Sequence, residues 1–277
     1  MLKQRIITAL ALLAVLLPAV FYHSPEPFVV VSTVLLGAAG WEWSRLNGGA
    51  PKMARILGLG LGVCLLGFAL LGGLAVNWSG LWMIVGVTWI LVGAWMLHRG
   101  VVGWKNWPNT LRLWLGLLLL GCAWLALVQA RQRGVGFLLS VLTLVWMADV
   151  AAYAGGKTFG KRKLAPTLSP GKSWEGALSG ALGVVILGLV WVWIDGQGWS
   201  DSLSLFSLLW AHGPVWALLA VLGMSAMSVV GDLLESLVKR SAGMKDSSQL
   251  LPGHGGVLDR VDALLPVLPL AMLLTQF

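Results

Sequence analysis

The segment 231–240, GDLLESLVKR, carries most of its polar side chains on one helix face. Positions three and four apart share such a face, and its residues here are Asp232, Glu235, Ser236 and Lys239, with Arg240 beside them. Because a charge inside a membrane helix is costly, this kind of face usually lines a cavity or meets a partner. The simpler alternatives are a Lys–Glu pair that stabilises the helix end, and a Ser236 hydroxyl that bonds back to the Asp232 carbonyl.

A second group of polar residues occupies the segment 245–262, which begins with Lys245 and Asp246 and continues as LPGHGGVLDRVD from position 251. Its three glycines within four positions permit positive φ and close approach, so the turn could present amide donors to phosphate oxygens. His254 has two interpretations, a substrate contact or a loop histidine that orders the turn. Zinc binding is not expected, since neither Cys nor a second His stands at ligand spacing.

Asp259 and Asp262 lie one helical turn apart at the start of the last apolar segment. Hard divalent cations such as Mg²⁺ bind one or two carboxylates together with substrate phosphates, so this pair is a candidate metal site. Charge compensation at a helix N-terminus is the alternative, although it leaves the neighbouring Arg260 unexplained.

A third group lies in the segments 149–161, DVAAYAGGKTFGK, and 169–176, SPGKSWEG. The tripeptide GKS resembles part of a P-loop, but Pro166 stands where that motif needs its first glycine, which argues against it. What remains is a basic, glycine-rich loop between Asp149 and Glu175. It is either a phosphate-binding loop or an ordinary basic loop of a membrane protein, and the carboxylate of Asp149 within an apolar run favours the first.

Together the three groups supply carboxylates, several Lys and Arg, and flexible backbone, without a Ser-His-Asp or Cys-His arrangement. These are the residue types that phosphoryl-type chemistry uses, in which charge neutralisation and positioning do most of the catalysis.

The chain that must position these groups is too apolar for a soluble protein. Hydrophobic residues make up 58% of it and charged residues 11%, against about 25% charged in soluble domains. The net charge of +8 lies in loops between apolar runs, so a phosphate-bearing small molecule and membrane lipid explain it better than nucleic acid. Cys64 and Cys122 fall inside apolar runs and are interpreted as packing residues.

An all-α, polytopic membrane fold follows, because a membrane helix needs about 20 mostly apolar residues. About nine transmembrane helices are predicted, at 6–22, 28–43, 56–76, 81–97, 113–130, 137–153, 174–194, 215–238 and 261–277. The first is expected to be retained rather than cleaved as a signal peptide. The last is the weakest, since it contains Asp262, Pro266 and Pro269.

The basic residues predict the orientation of these helices. All Lys and Arg except Arg131 and Arg133 fall on one side of the predicted membrane, which places the N-terminus in the cytoplasm. Among Asp and Glu, only Glu26 and Glu42 precede residue 149. We therefore expect a scaffold of helices at 1–133 and a catalytic region at 134–277 with cytoplasmic loops 155–173 and 239–260.

The spacing of the charged residues resembles the signature of the phosphatidate cytidylyltransferases, the CDP-diacylglycerol synthases. It reads SxxKRx4KDx4LPGHGGxxDRxD over 236–262, with GKxFGK and SPxKSxEG over 156–176, while the first 130 residues match only as generic membrane helices. The resemblance implies CTP and phosphatidic acid as substrates, Mg²⁺, release of pyrophosphate and a homodimer. It also implies a bacterial cytoplasmic (inner) membrane location with the active site facing the cytoplasm. Whether a second, monovalent cation assists stays open.

Roles can be assigned to the matching residues. The expected metal ligands are Asp232 and Asp259, with Asp149 and Asp262 as further candidates. The residues expected to act in catalysis are Ser236, Lys239, Arg240, Lys245, Asp246 and Arg260. The residues expected to bind substrate are Lys157, Lys161, Ser169, Lys172, Ser173, His254, Gly255 and Gly256. The expected reaction is a direct in-line displacement.

Two other functions use similar residues. A CTP-dependent lipid-alcohol kinase would need the same phosphate-binding groups but would release CDP. A secondary transporter could use buried carboxylates for ion coupling, although such folds usually show paired repeats, and here the charge is confined to one half of the chain.

Overall fold

The computed structural model describes residues 2–276, with side chains described from Gln4 onward. Met1, where the predicted scaffold region begins, and Phe277, where the last predicted helix ends, lie outside the described residues. Over the described range the helices are α1 Leu2–Phe21, α2 Glu26–Leu46, α3 Pro51–Leu70, α4 Ser79–Lys105, α5 Asn109–Arg133, α6 Val135–Phe159, α7 Trp174–Gly196, α8 Leu205–Ala211, α9 Pro214–Ser241, α10 Leu258–Val261 and α11 Leu264–Leu274. The strands β1 Lys163–Ala165 and β2 Ser169–Ser173 form one antiparallel pair.

Seven of these helices, α1, α3, α4, α5, α6, α7 and α9, are long and apolar enough to cross a membrane. This confirms the expectation of a nearly all-α, polytopic membrane protein. The other two predicted spans correspond to α2, which contains Glu26, Glu42 and Arg45, and to α11, which has 11 residues.

The last predicted helix, 261–277, is shorter than expected. The chain forms α10, which ends at Val261, and then α11, which begins at Leu264 and ends at Leu274. At 1.5 Å per residue, α11 is about 16 Å long, roughly half of a hydrocarbon core. Pro266 falls in its first turn, where the missing N–H has no partner to lose.

The short helix α11 forms the centre of the bundle. Every residue from Leu264 to Leu273 is buried, and the helix contacts α4, α5, α6 and α9. Those longer helices shield α11 from lipid, so it does not need the length of a membrane-spanning helix.

Close contact between α6 and α7 depends on glycine. A Cβ added to Gly176 would lie 2.8 Å from the Ala152 carbonyl oxygen, and one added to Gly180 would lie 2.7 Å from that of Ala148. Only a residue without a side chain allows this approach. The two helices therefore hold the segments around Asp149 and Glu175 side by side.

The β-hairpin between α6 and α7 is an addition to the predicted all-α fold. Lys163 pairs with Ser173 and Ala165 with Ser169, across a turn that begins at Pro166. The Ser173 hydroxyl then accepts a hydrogen bond from the Gly176 amide and so caps α7. The glycine-rich loop predicted at 155–173 is thus ordered at its end by the hairpin and the cap.

Candidate active site

Lys172 and Asp232 form an ion pair between two of the polar segments. Lys172 Nζ lies 2.5 Å from Asp232 Oδ2, and the side chains are 26% and 29% exposed. Lys172 stands on β2 directly before the cap of α7, and Asp232 lies on α9, against which α7 packs. The capped start of α7 therefore holds a lysine against a carboxylate at a place that solvent can reach.

This pair borders a cavity of about 1020 Å³, part of which is open to solvent. Among the predicted site residues, the cavity wall includes Asp149, Lys157, Ser169, Lys172, Ser173 and Asp232. We call this cavity the polar cleft. It brings two predicted metal ligands together with four predicted substrate-binding residues.

Asp262 lies next to the same part of α9. A Cβ added to Gly231 would be 2.5 Å from the Asp262 carbonyl oxygen. The chain leading into α11 thus touches α9 at the residue before Asp232, which brings a third predicted metal ligand close to the polar cleft.

Lys239 joins two carboxylates two turns further along α9. Its Nζ bonds to Glu235 and lies 2.7 Å from Asp259 Oδ1. The Lys239 side chain is 12% exposed, and those of Glu235 and Asp259 are 2% and 6% exposed. Burial makes each unpaired charge costly, so these three side chains stabilise one another.

Asp259 is held by more than Lys239. Its Oδ2 accepts hydrogen bonds from the Ser247 amide at 3.0 Å, the Ser247 hydroxyl at 2.9 Å and the Gly256 amide at 2.7 Å. Burial alone raises the pKa of Asp259, but hydrogen bonds from Lys239 and Gly256 and the positive charge of Lys239 outweigh it and lower the pKa to about 2. Asp259 is therefore a carboxylate at neutral pH.

Glu42 on α2 is a buried acid that the sequence analysis assigned to the scaffold. Its side chain accepts hydrogen bonds from the amides of Val257 and Leu258, at 3.0 and 2.7 Å. These two amides open α10, which carries Asp259. The signal that could have identified Glu42 is the one used for Asp149, a carboxylate within an apolar run, where charge is expensive.

In the turn that contains Gly253, Gly255 and Gly256, backbone amides donate hydrogen bonds to acceptors within the protein. Gly253 and Gly255 have φ of +77° and +81°, and a Cβ on Gly256 would lie 2.0 Å from the Ser247 hydroxyl. The Gly256 amide donates to Asp259. The glycines at 255 and 256 thus serve tight packing here, and the amides of 256–258 already have acceptors within the protein.

Two predicted residues of α9 make local contacts. Arg240 donates to the carbonyl oxygens of Leu168 and Met244, both at 3.3 Å, so it ties the β-hairpin to the end of α9. The Ser236 hydroxyl lies 3.4 Å from Asp232 Oδ1, a long contact to the carboxylate and not the bond to the Asp232 carbonyl that was the simpler alternative.

The remaining predicted residues lie outside the polar cleft. Lys245 and Asp246 line a separate open pocket with Trp41 and Arg45. The His254 amide donates to the Leu251 carbonyl at 2.8 Å, which fits a residue that orders the turn. The side chains of Lys161 and Arg260 are exposed.

The polar cleft fits a magnesium ion bound with substrate better than a metal held by protein alone. Across the described side chains, no three His, Cys, Asp or Glu gather closely enough to hold a metal. Mg²⁺ needs only one or two carboxylates when phosphates and water complete its shell. Asp149 and Asp232 line the cleft together, and Asp259 Oδ1 has one short bond, to Lys239.

Comparison with known proteins identifies the family of this chain. The profile of the cytidylyltransferase family matches residues 3–277. A phosphatidate cytidylyltransferase of Pseudomonas aeruginosa is 40% identical over 97% of this chain and 95% of its own. One of Haemophilus influenzae is 33% identical over 97% and 96%, and one of Staphylococcus epidermidis is 37% identical over 56% and 54%. This chain belongs to the cytidylyltransferase family.

Proposed function

We propose that this protein transfers the cytidylyl group of CTP to phosphatidic acid and so forms CDP-diacylglycerol and pyrophosphate. The observation that carries the proposal is the polar cleft, where Lys172 and Asp232 meet beside Asp149 at one end of a bundle of membrane helices. Relatives named phosphatidate cytidylyltransferase that align with nearly the whole chain support it.

The chemistry requires little acid–base catalysis. A phosphate monoester has a second pKa near 6, so at neutral pH phosphatidate is largely a dianion and already a nucleophile. One of its oxygens forms a bond to the α-phosphorus of CTP, while the bond from that phosphorus to the bridging oxygen breaks. Pyrophosphate leaves with the electron pair. The protein must therefore hold two anions in line and stabilise the leaving group.

The residues of the polar cleft suit that task. Lys157 and Lys172 supply positive charge for phosphates, and Ser169 and Ser173 supply polar side chains. A phosphate that binds Lys172 takes the place of Asp232 and frees that carboxylate. Because Mg²⁺ needs only one or two carboxylates beside phosphates and water, Asp232 would hold it together with either Asp149 or Asp259 Oδ1, with Asp262 nearby. When bound, Mg²⁺ would neutralise phosphate charge and orient the leaving group.

The membrane setting follows from the substrates. We place the N-terminus, the polar cleft and the 239–260 loop on the cytoplasmic side of the bacterial inner membrane, with α2 and α11 completing nine membrane-embedded segments. The distribution of Lys and Arg supports this orientation. CTP then enters from the cytoplasm, and phosphatidate enters from the inner leaflet. A homodimer is expected from the family resemblance.

The first experiment measures the transfer of a radioactive label from CTP to the lipid. Purified protein in detergent receives phosphatidic acid, Mg²⁺ and CTP labelled at the α-phosphate. Label should enter the lipid with an equal amount of pyrophosphate, and EDTA should stop the transfer. Asp232→Asn should lower the rate by at least 100-fold, the usual loss when one charge-stabilising group is removed.

Two outcomes would contradict the proposal. Release of CDP instead of pyrophosphate would indicate a lipid-alcohol kinase. A labelled protein that accumulates when lipid is omitted would exclude direct displacement. Lys52→Gln, at an exposed lysine at the start of α3, is the matched control and should retain wild-type activity.

A further inference from the structure

Glu42 connects the N-terminal helices to the segment that carries Asp259. The residue is fully buried, with 0% exposure. Its Oε1 accepts from the Val257 amide and lies 2.5 Å from the Ser248 hydroxyl. Its Oε2 accepts from the Leu258 amide and lies 3.3 Å from the Ser247 hydroxyl. Each oxygen thus accepts from one amide and lies near one hydroxyl.

Ser247 links this acid to Asp259. The Ser247 hydroxyl lies between two buried carboxylates, 2.9 Å from Asp259 Oδ2 and 3.3 Å from Glu42 Oε2. Its single proton is donated at the shorter distance, to Asp259. Ser248 bonds to Glu42, but its other contact is to the Leu250 amide and not to Asp259. The two neighbouring serines therefore differ in one respect, the contact with Asp259.

The two oxygens of Asp259 have different surroundings. Three donors, from Ser247 and Gly256, converge on Oδ2 and occupy it. Oδ1 has one short contact, with the Lys239 ammonium at 2.7 Å, and a longer one of 3.3 Å with the Ser247 amide. The hydrogen bonds to Oδ2 thus fix the orientation of the Asp259 carboxylate. The other oxygen, Oδ1, faces Lys239.

We propose that Glu42 is a positioning residue, which holds Ser247 and the start of α10 so that Asp259 presents Oδ1 to the cation of the transfer reaction. The inference rests on the proposed function for the identity of that cation. Partners behind a metal ligand fix its orientation, and their loss typically costs 10–100-fold in metal affinity.

The variant that tests this is Glu42→Gln. Glutamine keeps the size of the side chain, but its amide nitrogen is a donor and cannot accept a hydrogen bond. Whichever way the glutamine is turned, one of the two backbone amides then faces another donor in a buried site. Ser247→Ala removes only the hydroxyl between the two carboxylates, and Ser248→Ala is the matched control, since it loses a contact with Glu42 but none with Asp259.

Two measurements are made on the full-length protein in detergent. The first is hydrogen exchange of the amides of 246–257, without Mg²⁺ or substrate, where Ser247 and Gly256 report on Asp259 Oδ2. The second is the Mg²⁺ concentration that gives half-maximal transfer. In Glu42→Gln and Ser247→Ala we expect faster exchange of these amides and a Mg²⁺ requirement that rises about 10–100-fold. In Ser248→Ala the exchange of the Ser247 and Gly256 amides and the Mg²⁺ requirement should stay as in the wild type, and only the Leu250 amide, which donates to Ser248, should exchange faster.

A merely structural role predicts a different pattern. It would lower the melting temperature of Glu42→Gln and Ser248→Ala alike and leave the Mg²⁺ requirement of both unchanged, and that result would overturn the inference. If Glu42→Gln does not fold, the contrast between Ser247→Ala and Ser248→Ala decides. If the wild type makes no labelled lipid, the proposed function fails, and the exchange measurement still decides whether Glu42 holds Asp259 in place.

Discussion

The charge on Lys172 has a defined partner, the carboxylate of Asp232. Its ammonium contacts Asp232, and both side chains remain partly exposed beside the polar cleft. Exposed ion pairs contribute little to stability, at most about 1 kcal/mol. The pair is better explained by the proposed reaction, in which each partner would neutralise the other until phosphate and cation separate them.

Replacing this lysine tests that role. Lys172→Gln should lower kcat/KM about 100–1000-fold, since it removes one group that stabilises phosphate charge. The melting temperature should change little. Steady-state kinetics with CTP and phosphatidate varied separately would measure the loss.

The double variant Lys172→Gln/Asp232→Asn gives the complementary test. If the pair served only to balance charge, removing both partners would restore activity. We expect the double variant to stay as inactive as Asp232→Asn. Recovery of activity would mean that neither residue contacts substrate or cation.

The sequence predicts a residue as part of the site where it stands at a regular spacing from other polar residues. Asp232, Lys172 and Asp149 stand in polar segments of the sequence, and the structure brings them to one cleft. These residues come together because α6, α7 and α9 pack against one another. The spacing of residues along the sequence does not predict that packing. Glu42 was assigned to the scaffold because it stands alone in α2, and its partners are more than 200 positions away in the sequence.

At the scale of helices and strands, the contact between α6 and α7 determines the width of the polar cleft. Asp149 lies on α6, while Lys172 is fixed to the start of α7. Gly176 and Gly180 allow the two helices to touch backbone to backbone. A wider separation of these helices would move the carboxylate away from the lysine.

Gly180→Ala should therefore destabilise the protein and lower its activity. The added methyl group would lie 2.7 Å from the Ala148 carbonyl oxygen, and overpacking of this kind costs about 1–3 kcal/mol. Gly223→Ala on α9 is the control, because no atom lies within 4 Å of its added Cβ. Thermal unfolding in detergent should show a lower melting temperature for the first variant alone. Equal effects would mean that α6 and α7 can adjust to the methyl group.

The positions of most helices can be predicted from the apolar runs of the sequence. Two elements cannot, namely the short helix α11 and the β-hairpin. The end of the chain holds a buried helix of 11 residues instead of a full span, because burial among α4, α5, α6 and α9 replaces contact with lipid. The β-hairpin at 163–173 was not foreseen, since three and five residues of strand around Pro166 are too short for a clear alternating pattern.

At the scale of the whole molecule, the predicted site residues gather at one end of the bundle, and Arg131 marks the other. Arg131 is buried and donates to the carbonyl oxygens of Val20 and Tyr22, at 2.8 and 2.5 Å. It thereby supplies donors to the C-terminal end of α1, where helix carbonyls lack partners. This structural use explains an arginine on the side of the membrane that is otherwise poor in basic residues.

Labelling of single cysteines would test the orientation. In a variant with Cys64 and Cys122 replaced by Ala, Gln249→Cys and Gln197→Cys place one thiol at each end of the bundle, both at exposed positions. In intact cells, a membrane-impermeant maleimide should label the cysteine at 197 and not the one at 249. Inverted membrane vesicles should show the reverse. Labelling at 249 in intact cells would place the polar cleft outside.

The contact of Glu42 with Val257 and Leu258 also has a consequence for biosynthesis. The ribosome adds more than 200 residues between the acid and the amides that satisfy it. At 5–20 residues per second this takes roughly 10–40 s, during which α2 carries an unsatisfied carboxylate. The nascent chain must therefore keep α2 near water or a translocation channel until the last segment arrives. Translation of the C-terminal loop then both completes the proposed active site and allows α2 to settle in the membrane.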